Sequence, residues 1–210
     1  QFSALRTRMA ALPGAVQPEP SENASDPGVE IPPEINRKVF PEAALQDLES
    51  LDGPIAVAIQ GEFANGSGSV SALAVCSSHQ IHVVHSASAQ QSTALLKWLS
   101  TCINPITLHD GKTTLWALAT AQIDISQCKI QMDTALAGYL IDPGQRSYEL
   151  TDLVRRELGH SLTAPQDQLS MFGENDSVTN LVQSATLIWE LGRVLSLKLA
   201  EFRLEPLLVD

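Results

Sequence analysis

The order in which the hydrophobic pattern changes along the chain is the feature that most constrains its fold. A short helical pattern over 41–51 is followed by three apolar segments of strand length, at 54–59, 70–75 and 80–85. The turn sequence Asn65-Gly66-Ser67-Gly68 separates the first two strands. Because Asn-Gly turns favour tight hairpins, we expect these two strands to pair in antiparallel fashion.

Helix and strand patterns alternate after the third strand. The spacing of apolar residues predicts a helix over 92–101, a strand over 105–108 and a helix over 112–121, and a fifth strand is compatible with 129–132. The fold class expected from this order is α/β, with three antiparallel strands in a mixed sheet and helices around it.

Helices are predicted over most of the remaining chain. Asp133 is a suitable N-cap for a helix that ends at Asp142-Pro143-Gly144. Further helices are expected over 150–158 and 177–202, and the last of these carries an apolar stripe that favours packing against the domain.

Composition and charge exclude several classes of protein. The 210 residues are 44% hydrophobic, which is enough for a core, but the net charge of −11 is the opposite of what a free-standing nucleic-acid binder needs. We find neither an apolar run of about 20 residues nor a secretion signal, so we predict a soluble cytoplasmic protein with no membrane partner. Cys76, Cys102 and Cys128 lie too far apart for a Cys-x-x-Cys zinc site and are expected to be reduced core thiols.

The first part of the chain differs in composition from the rest. Residues 13–36 contain half of the twelve prolines, together with polar residues, which is typical of a linker. Before it, Phe2, Leu5, Met9 and Leu12 have helical spacing. We therefore divide the chain into 1–38 and a folded domain over 39–210. Since the chain begins with Gln, we expect it to be a fragment of a longer protein.

Clustered histidines and arginines have ordinary explanations. His79, His82 and His85 share one strand, where residues an odd number apart point to opposite faces, so solvent-facing side chains are expected rather than a zinc site. Arg155 and Arg156 could contact nucleic acid, but surface ion pairs with Asp152 and Glu157 are the more frequent use of such residues.

Two neighbouring segments resemble a known family. The sequence MDTALAGYLIDPGQRSY at 132–148 resembles the D-T-x-L-x-x-Y-L-L-x-P segment of the proofreading exonuclease domain of bacterial DNA polymerase I. The continuation LTDLVRRELG at 150–159 resembles the L-x-x-L-x-x-R-Y-L-G that follows in that family, and the style of 144–148 is actinobacterial. The resemblance covers about residues 41–210 and implies an RNase H-like exonuclease fold.

The resemblance also implies neighbours in a larger polymerase. Ile188-Trp189-Glu190-Leu191 resembles the helix that leads to the polymerase domain, and the first residues resemble the end of a 5′-nuclease domain. On this basis 1–38 would be the end of the 5′-nuclease domain with its linker, and 39–210 would end at the junction to the polymerase domain. The expected partners are those two domains of the same chain and, through them, DNA.

Active members of the family hold two divalent metals, Mg²⁺ or Mn²⁺, with four carboxylates. The first strand should end in Asp-x-Glu, and our alignment places Ile59 and Gly61 there. Shifting the alignment by one residue would bring in Glu62, which would supply one carboxylate instead of two and place it on the other face of the strand.

The remaining motif positions also lack the expected residues. The second motif, an Asp two residues beyond a Lys, falls on Thr114, because Lys112 opens that helix. The third, a Tyr followed four residues later by an Asp, falls on Asn180 and Ser184. The resemblance thus implies no catalytic residue and no metal or other cofactor in this domain.

Three functions remain open at this point. The first is an inactive structural module that supports the polymerase domain of a replication and repair polymerase. The second is an enzyme with residual 3′–5′ exonuclease activity through a displaced carboxylate such as Glu62 or Asp110, although Asp110 is better explained as a helix cap. The third is a module that binds single strands or nucleotides without cutting them.

Overall fold

A computed structural model describes residues 37–64, 67–120, 129–159 and 175–208. These residues belong to one compact unit, Glu34–Asp210. Its centre is a six-stranded mixed sheet with strand order β1-β4-β3-β2-β5-β6. Strand β3 is antiparallel to its neighbours β2 and β4, and the other pairs are parallel. Among the helices that the structure describes, none could cross a membrane.

The elements follow the predicted order. The strands are β1 (Lys38–Phe40), β2 (Ile55–Ala64), β3 (Ser67–Cys76), β4 (Gln80–His85), β5 (Ile106–Leu108) and β6 (Ile130–Asp133). The helices are α1 (Ala89–Thr101), α2 (Gly111–Thr120), α3 (Thr134–Ile141), α4 (Leu150–Glu157) and α5 (Asn175–Phe202), with short 3-10 helices at Leu45–Ser50 and Glu205–Leu208.

Large apolar side chains fill one face of the sheet. Along β2, Ile55 and Val57 point to this face, and alternate residues of β3 join them, because successive side chains in a strand point to opposite sides. Helix α1 covers this face with Leu95, Leu96 and Leu99. We call this cluster the first core.

The other face of the sheet is lined with alanine. Ala56 and Ala58 of β2 lie beside Ala72 and Ala74 of β3, and all of them are buried. Small side chains let a helix backbone approach the sheet closely, and α5 packs against this alanine face. The contacting residues of α5 are Leu181, Ala185 and Ile188. This cluster is the second core.

The carboxyl-terminal half of α5 packs with two shorter helices. Leu191, Leu195 and Leu199 contact residues of β6, α3 and α4 in a third core. One close contact in this half favours glycine: a Cβ at Gly192 would lie 3.0 Å from Cγ2 of Thr107. Helix α5 therefore joins the sheet to the α3–α4 pair.

The predicted fold class is confirmed, with three corrections. The helix expected over 41–51 is a 3-10 helix, Leu45–Ser50, and β1 was not predicted. His82, expected to face solvent, is buried and stacks on Phe40 with ring centroids 4.6 Å apart.

The expectation of core thiols is confirmed for Cys76 and Cys102, which are free and buried. Burial raises the pKa of the Cys76 thiol to about 12. Cys128, the linker 13–36 and the apolar residues before it lie outside the described residues.

A larger side chain in the alanine face should destabilise the domain. Ala74 is fully buried beneath α5, so Ala74→Leu forces extra methylene groups into a packed contact. We expect the free energy of unfolding to fall by about 1–3 kcal/mol in urea denaturation. Ala89→Leu, at the exposed start of α1, is the matched control and should change it little. Equal effects of the two variants would contradict this account of the alanine face.

Candidate functional site

One carboxylate ties together the ends of two parallel strands. Asp133 ends β6 and accepts two backbone hydrogen bonds, from Ala135 N at 2.9 Å and from Gly111 N at 2.8 Å. The first caps α3, as the sequence predicts, and the second holds the start of α2. A carboxylate is favourable at both helix N-termini because their free N–H groups carry partial positive charge. Asp133 therefore has a structural role here.

The residue that precedes α2 has an unusual backbone conformation. Asp110 has φ of 56°, in the left-handed region that few residues other than glycine adopt. Its carbonyl accepts from Thr113 N at 3.2 Å, and its carboxylate accepts from the Thr113 hydroxyl at 2.6 Å. Asp110 thus lies at the helix start, where a cap was predicted, but its carboxylate is occupied by the Thr113 hydroxyl and not by a backbone N–H group as in an N-cap.

His109 lies beside these aspartates at the end of β5. Its Nδ1 is 2.8 Å from Oγ1 of Thr134, which is fully buried. Burial lowers the pKa of His109 from its ordinary value of 6.5, and the negative charges of Asp133, Asp110 and Glu149 oppose that shift only in part. Burial therefore favours the neutral form of this imidazole.

A second polar contact joins β2 to the start of α5. The side-chain nitrogen Nε2 of Gln60 donates to the Ser177 hydroxyl at 2.8 Å. That hydroxyl in turn donates to the side-chain oxygen Oε1 of Gln60 at 2.9 Å. Gln60 is also where the pairing of β2 with β3 shifts by one residue, and its backbone oxygen accepts from the Ser71 hydroxyl at 3.2 Å. Gln60 and Ser177 thus cross-link the sheet to α5.

An open cleft of about 650 Å³ lies beside this cross-link. Its polar lining comes from Gln60, Ser71, His85, Ser177 and Glu42. His85 is exposed, and its Nε2 lies 3.2 Å from the carbonyl oxygen of Pro41. Ala43, Ala72 and Val178 complete a lining of mixed polarity, and among the described residues no lysine or arginine lines the cleft.

The structure places the first predicted motif on the face of the sheet away from α5. Ile59 packs against the first core, which α1 covers, and Gly61 pairs with Val70 of β3. The neighbouring β2 residues Ala58 and Gln60, which precede Ile59 and Gly61, face α5 instead. Sequence reasoning missed this pair.

The other predicted positions are divided between two helices. Thr114 is buried in the first half of α2, whose Leu115 packs against the first core. Asn180 is exposed and Ser184 half-buried on α5, which covers the opposite face. The structure therefore does not bring Ile59 together with Ser184. Glu62 pairs through its backbone with Ser69, and its side chain lies outside the described part of the chain.

Comparison with known proteins identifies the domain. The family model for the DNA polymerase I ribonuclease H-like domain matches residues 66–169. The chain carries a DNA polymerase I exonuclease-like domain. DNA polymerase I of Mycobacterium tuberculosis is 37% identical over 97 residues, which are 45% of this chain and 10% of that protein. This chain thus matches about a tenth of the length of that curated relative.

Solved structures agree on the fold. The POL domain of Pol1 from M. smegmatis, in complex with DNA primer-template and dNTP, has a TM-score of 0.61 and 27% identity, covering 78% of this chain and 27% of that one. Brucella melitensis NrnC with bound Mg²⁺ has a TM-score of 0.54 and 15% identity, covering 79% and 81%. The latter likeness supports the RNase H-like exonuclease fold alone.

The side chains where β2 faces α5 do not fit a divalent metal. Exonuclease-like relatives use divalent metals, which need several anionic oxygen ligands. Among the described residues, no group of three or more His, Cys, Asp or Glu side chains is placed to hold a metal ion. Ala58, Gln60 and Ser184 offer only neutral groups.

The double cap formed by Asp133 should contribute measurably to stability. Asp133→Ala leaves two helix N–H groups without their acceptor, so we expect the free energy of unfolding to fall by about 1–3 kcal/mol. Asp133→Asn, which keeps one oxygen, should have an intermediate effect. The control is Asp152→Ala, which removes an exposed ion pair with Arg155 and should have an effect of under about 1 kcal/mol.

The neutral state of His109 should make stability depend on pH. Because its folded pKa is depressed below the unfolded value of 6.5, the unfolded chain binds more protons as the pH falls below 6.5. The free energy of unfolding should therefore fall from pH 6.5 down to the folded pKa.

This dependence can be assigned by comparing two variants in urea denaturation at several pH values. His109→Gln should make the slope over that interval shallower, whereas His85→Gln, at an exposed site, should leave it as in the unmodified chain. An unchanged slope in His109→Gln would contradict the assignment.

Proposed function

We propose that this exonuclease-like domain is a catalytically inactive structural module. The observation that carries the proposal is the set of side chains where β2 faces α5: Ala58, then Gln60 hydrogen-bonded to Ser177. Two-metal hydrolysis needs carboxylates that bind both ions and stabilise the attacking and leaving oxygens. Alanine and glutamine at these positions supply no anionic ligand.

Neither alignment of the first motif restores a carboxylate pair. The alignment made from the sequence gives Ile59 and Gly61, and the pair that faces α5 is Ala58 and Gln60. Thr114 and Ser184 take the places of the remaining aspartates and Asn180 that of the tyrosine. The proposal is therefore the same for both alignments.

The module would belong to a DNA polymerase I that acts in replication and repair. We propose that the segment before Arg37 contains the end of a 5′-nuclease domain with a linker, and that the folded domain, which includes Arg37 and β1, leads to the polymerase domain. In this proposal those two domains are the partners of the module, which contacts DNA only through them. The net charge of −11 supports such an indirect role.

Metal titration and nuclease assays test the proposal. Isothermal titration of the chain with Mn²⁺ should give no tight binding of two ions, and a mismatched primer should survive incubation with Mg²⁺ or Mn²⁺. Primer digestion that Glu62→Gln abolishes would instead establish residual exonuclease activity through that carboxylate. Digestion that Asp110→Asn abolishes would assign it to Asp110.

A gain of metal binding would locate the motif. We expect the combination Ala58→Asp, Gln60→Glu and Ser184→Asp to bind Mn²⁺, because the β2 and α5 carboxylates would share one side of the sheet. The matched control combines Ile59→Asp and Gly61→Glu with the same change at 184. Mn²⁺ binding by the control set alone would favour the alignment made from the sequence.

A second candidate function is binding of a single strand or nucleotide without cleavage. The cleft of about 650 Å³ beside Gln60 and Ser177 favours it, since it has the volume of a small-molecule site. Fluorescence anisotropy with a labelled oligonucleotide at low salt tests it. A saturable signal that Gln60→Ala weakens would support binding in the cleft, and no signal at high micromolar protein would exclude it.

A further inference from the structure

Three interactions hold Arg37, the residue just before β1, against the rest of the domain. Its Nη2 lies 2.6 Å from Oε1 of Glu190 on α5, and its Nε donates to the carbonyl oxygen of Ser77 at 3.2 Å. Its guanidinium also lies over the ring of Trp189, 5.8 Å from the centroid. One side chain therefore joins the start of β1, the turn after β3 and the middle of α5.

Together with Arg156–Glu157, this ion pair is more buried than the others described in the domain. The side chain of Arg37 is 5% exposed and that of Glu190 21%, whereas Arg193, the second partner of Glu190, is 47% exposed. Removing one member of a desolvated pair leaves the other charge without compensation, which costs far more than breaking a solvated pair. Arg37 is thus fixed in place, while Arg193 supplies a matched exposed contact to the same carboxylate.

Apart from Arg37, the first strand is held by its pairing with β4 and by the stacking of Phe40 on His82. Strand β1 is three residues long and pairs on one side only, with β4. Its Val39 is 43% exposed, so β1 contributes little to the core. Short edge segments with few buried contacts open at low free-energy cost.

The chain is also attached to α5 where that helix ends. After Phe202 the backbone turns, with Leu204 N donating to the Leu199 carbonyl at 2.9 Å, and Leu204 and Leu208 pack on the third core. From Glu190 to Phe202 the helix rises about 18 Å at 1.5 Å per residue. Helix α5 therefore contacts the chain at two places. Arg37 is bound at Glu190, and the turn after Phe202 packs at the end of the same helix.

We infer that Arg37 fastens the beginning of the folded domain to α5, so that the domain acts as a spacer of fixed length between the segment before Arg37 and the segment after α5. This inference rests on the proposed structural function and names the contact that would make such a module rigid. The fixed length is set by α5 and by the Arg37–Glu190 pair.

Proteolysis measures the attachment directly, because trypsin cleaves after Arg37 and Lys38. In Glu190→Gln, which keeps both cleavage sites, we expect cleavage there to be faster by on the order of tenfold, with matching faster amide exchange over 38–40. Arg37→Met should show the same increase at Lys38. Arg193→Met, which removes only the exposed partner of Glu190, should leave both rates unchanged.

A distance measurement tests the spacer itself. Nitroxide labels at Lys38→Cys and Glu201→Cys, in a chain with Cys128→Ser, should give one narrow distance distribution, which Glu190→Gln broadens and Arg193→Met does not. Unchanged cleavage and an unchanged distribution in Glu190→Gln would overturn the inference. A uniform loss of protection throughout the domain would also overturn it, since Arg37 would then stabilise the whole fold and not the attachment of β1. None of these readouts depends on metal binding or nuclease activity, which test the proposed function separately.

Discussion

The close approach of α5 to the centre of the sheet is the constraint on which the rest of the structure depends. Alanines in β2 and β3 leave room for a helix of 28 residues to lie across the sheet, and Gly192 extends the close contact to β5. Because α5 runs past the sheet, it can bury its second half against α3 and α4. One helix thereby supplies apolar residues to two of the three cores.

The same constraint disfavours charged groups among the described residues that lie between β2 and α5. A carboxylate at a buried alanine position would lose its hydration, and without a metal or a basic partner it would destabilise the fold. Gln60 and Ser177 satisfy each other as neutral donor and acceptor at the margin of this contact. Apolar packing and neutral hydrogen bonds hold these two elements together.

The sequence alone could predict the long elements, but neither β1 nor the face on which the motif positions lie. Long periodic segments such as α1 and α5 give clear patterns, whereas β2 is apolar on both sides and lacks the usual alternation of polar and apolar residues. One usable signal is present: Ile55, Val57 and Ile59 alternate with Ala56 and Ala58, and the small residues mark the helix-covered face. The importance of Arg37 had no local signal, because its partner Glu190 is 153 residues away.

Strand β1 also has a consequence for how such a domain behaves in solution. It covers the outer edge of β4, whose central residues are buried and apolar apart from His82. An uncovered edge strand exposes backbone N–H and C=O groups that can pair with another chain. Lys38, whose ammonium lies 4.7 Å from the centre of the Phe40 ring, places a charge on this border of the sheet. The few residues fastened by Arg37 therefore also protect the domain from edge-to-edge association, so a shortened chain that began after Phe40 would be prone to aggregate even with its cores intact.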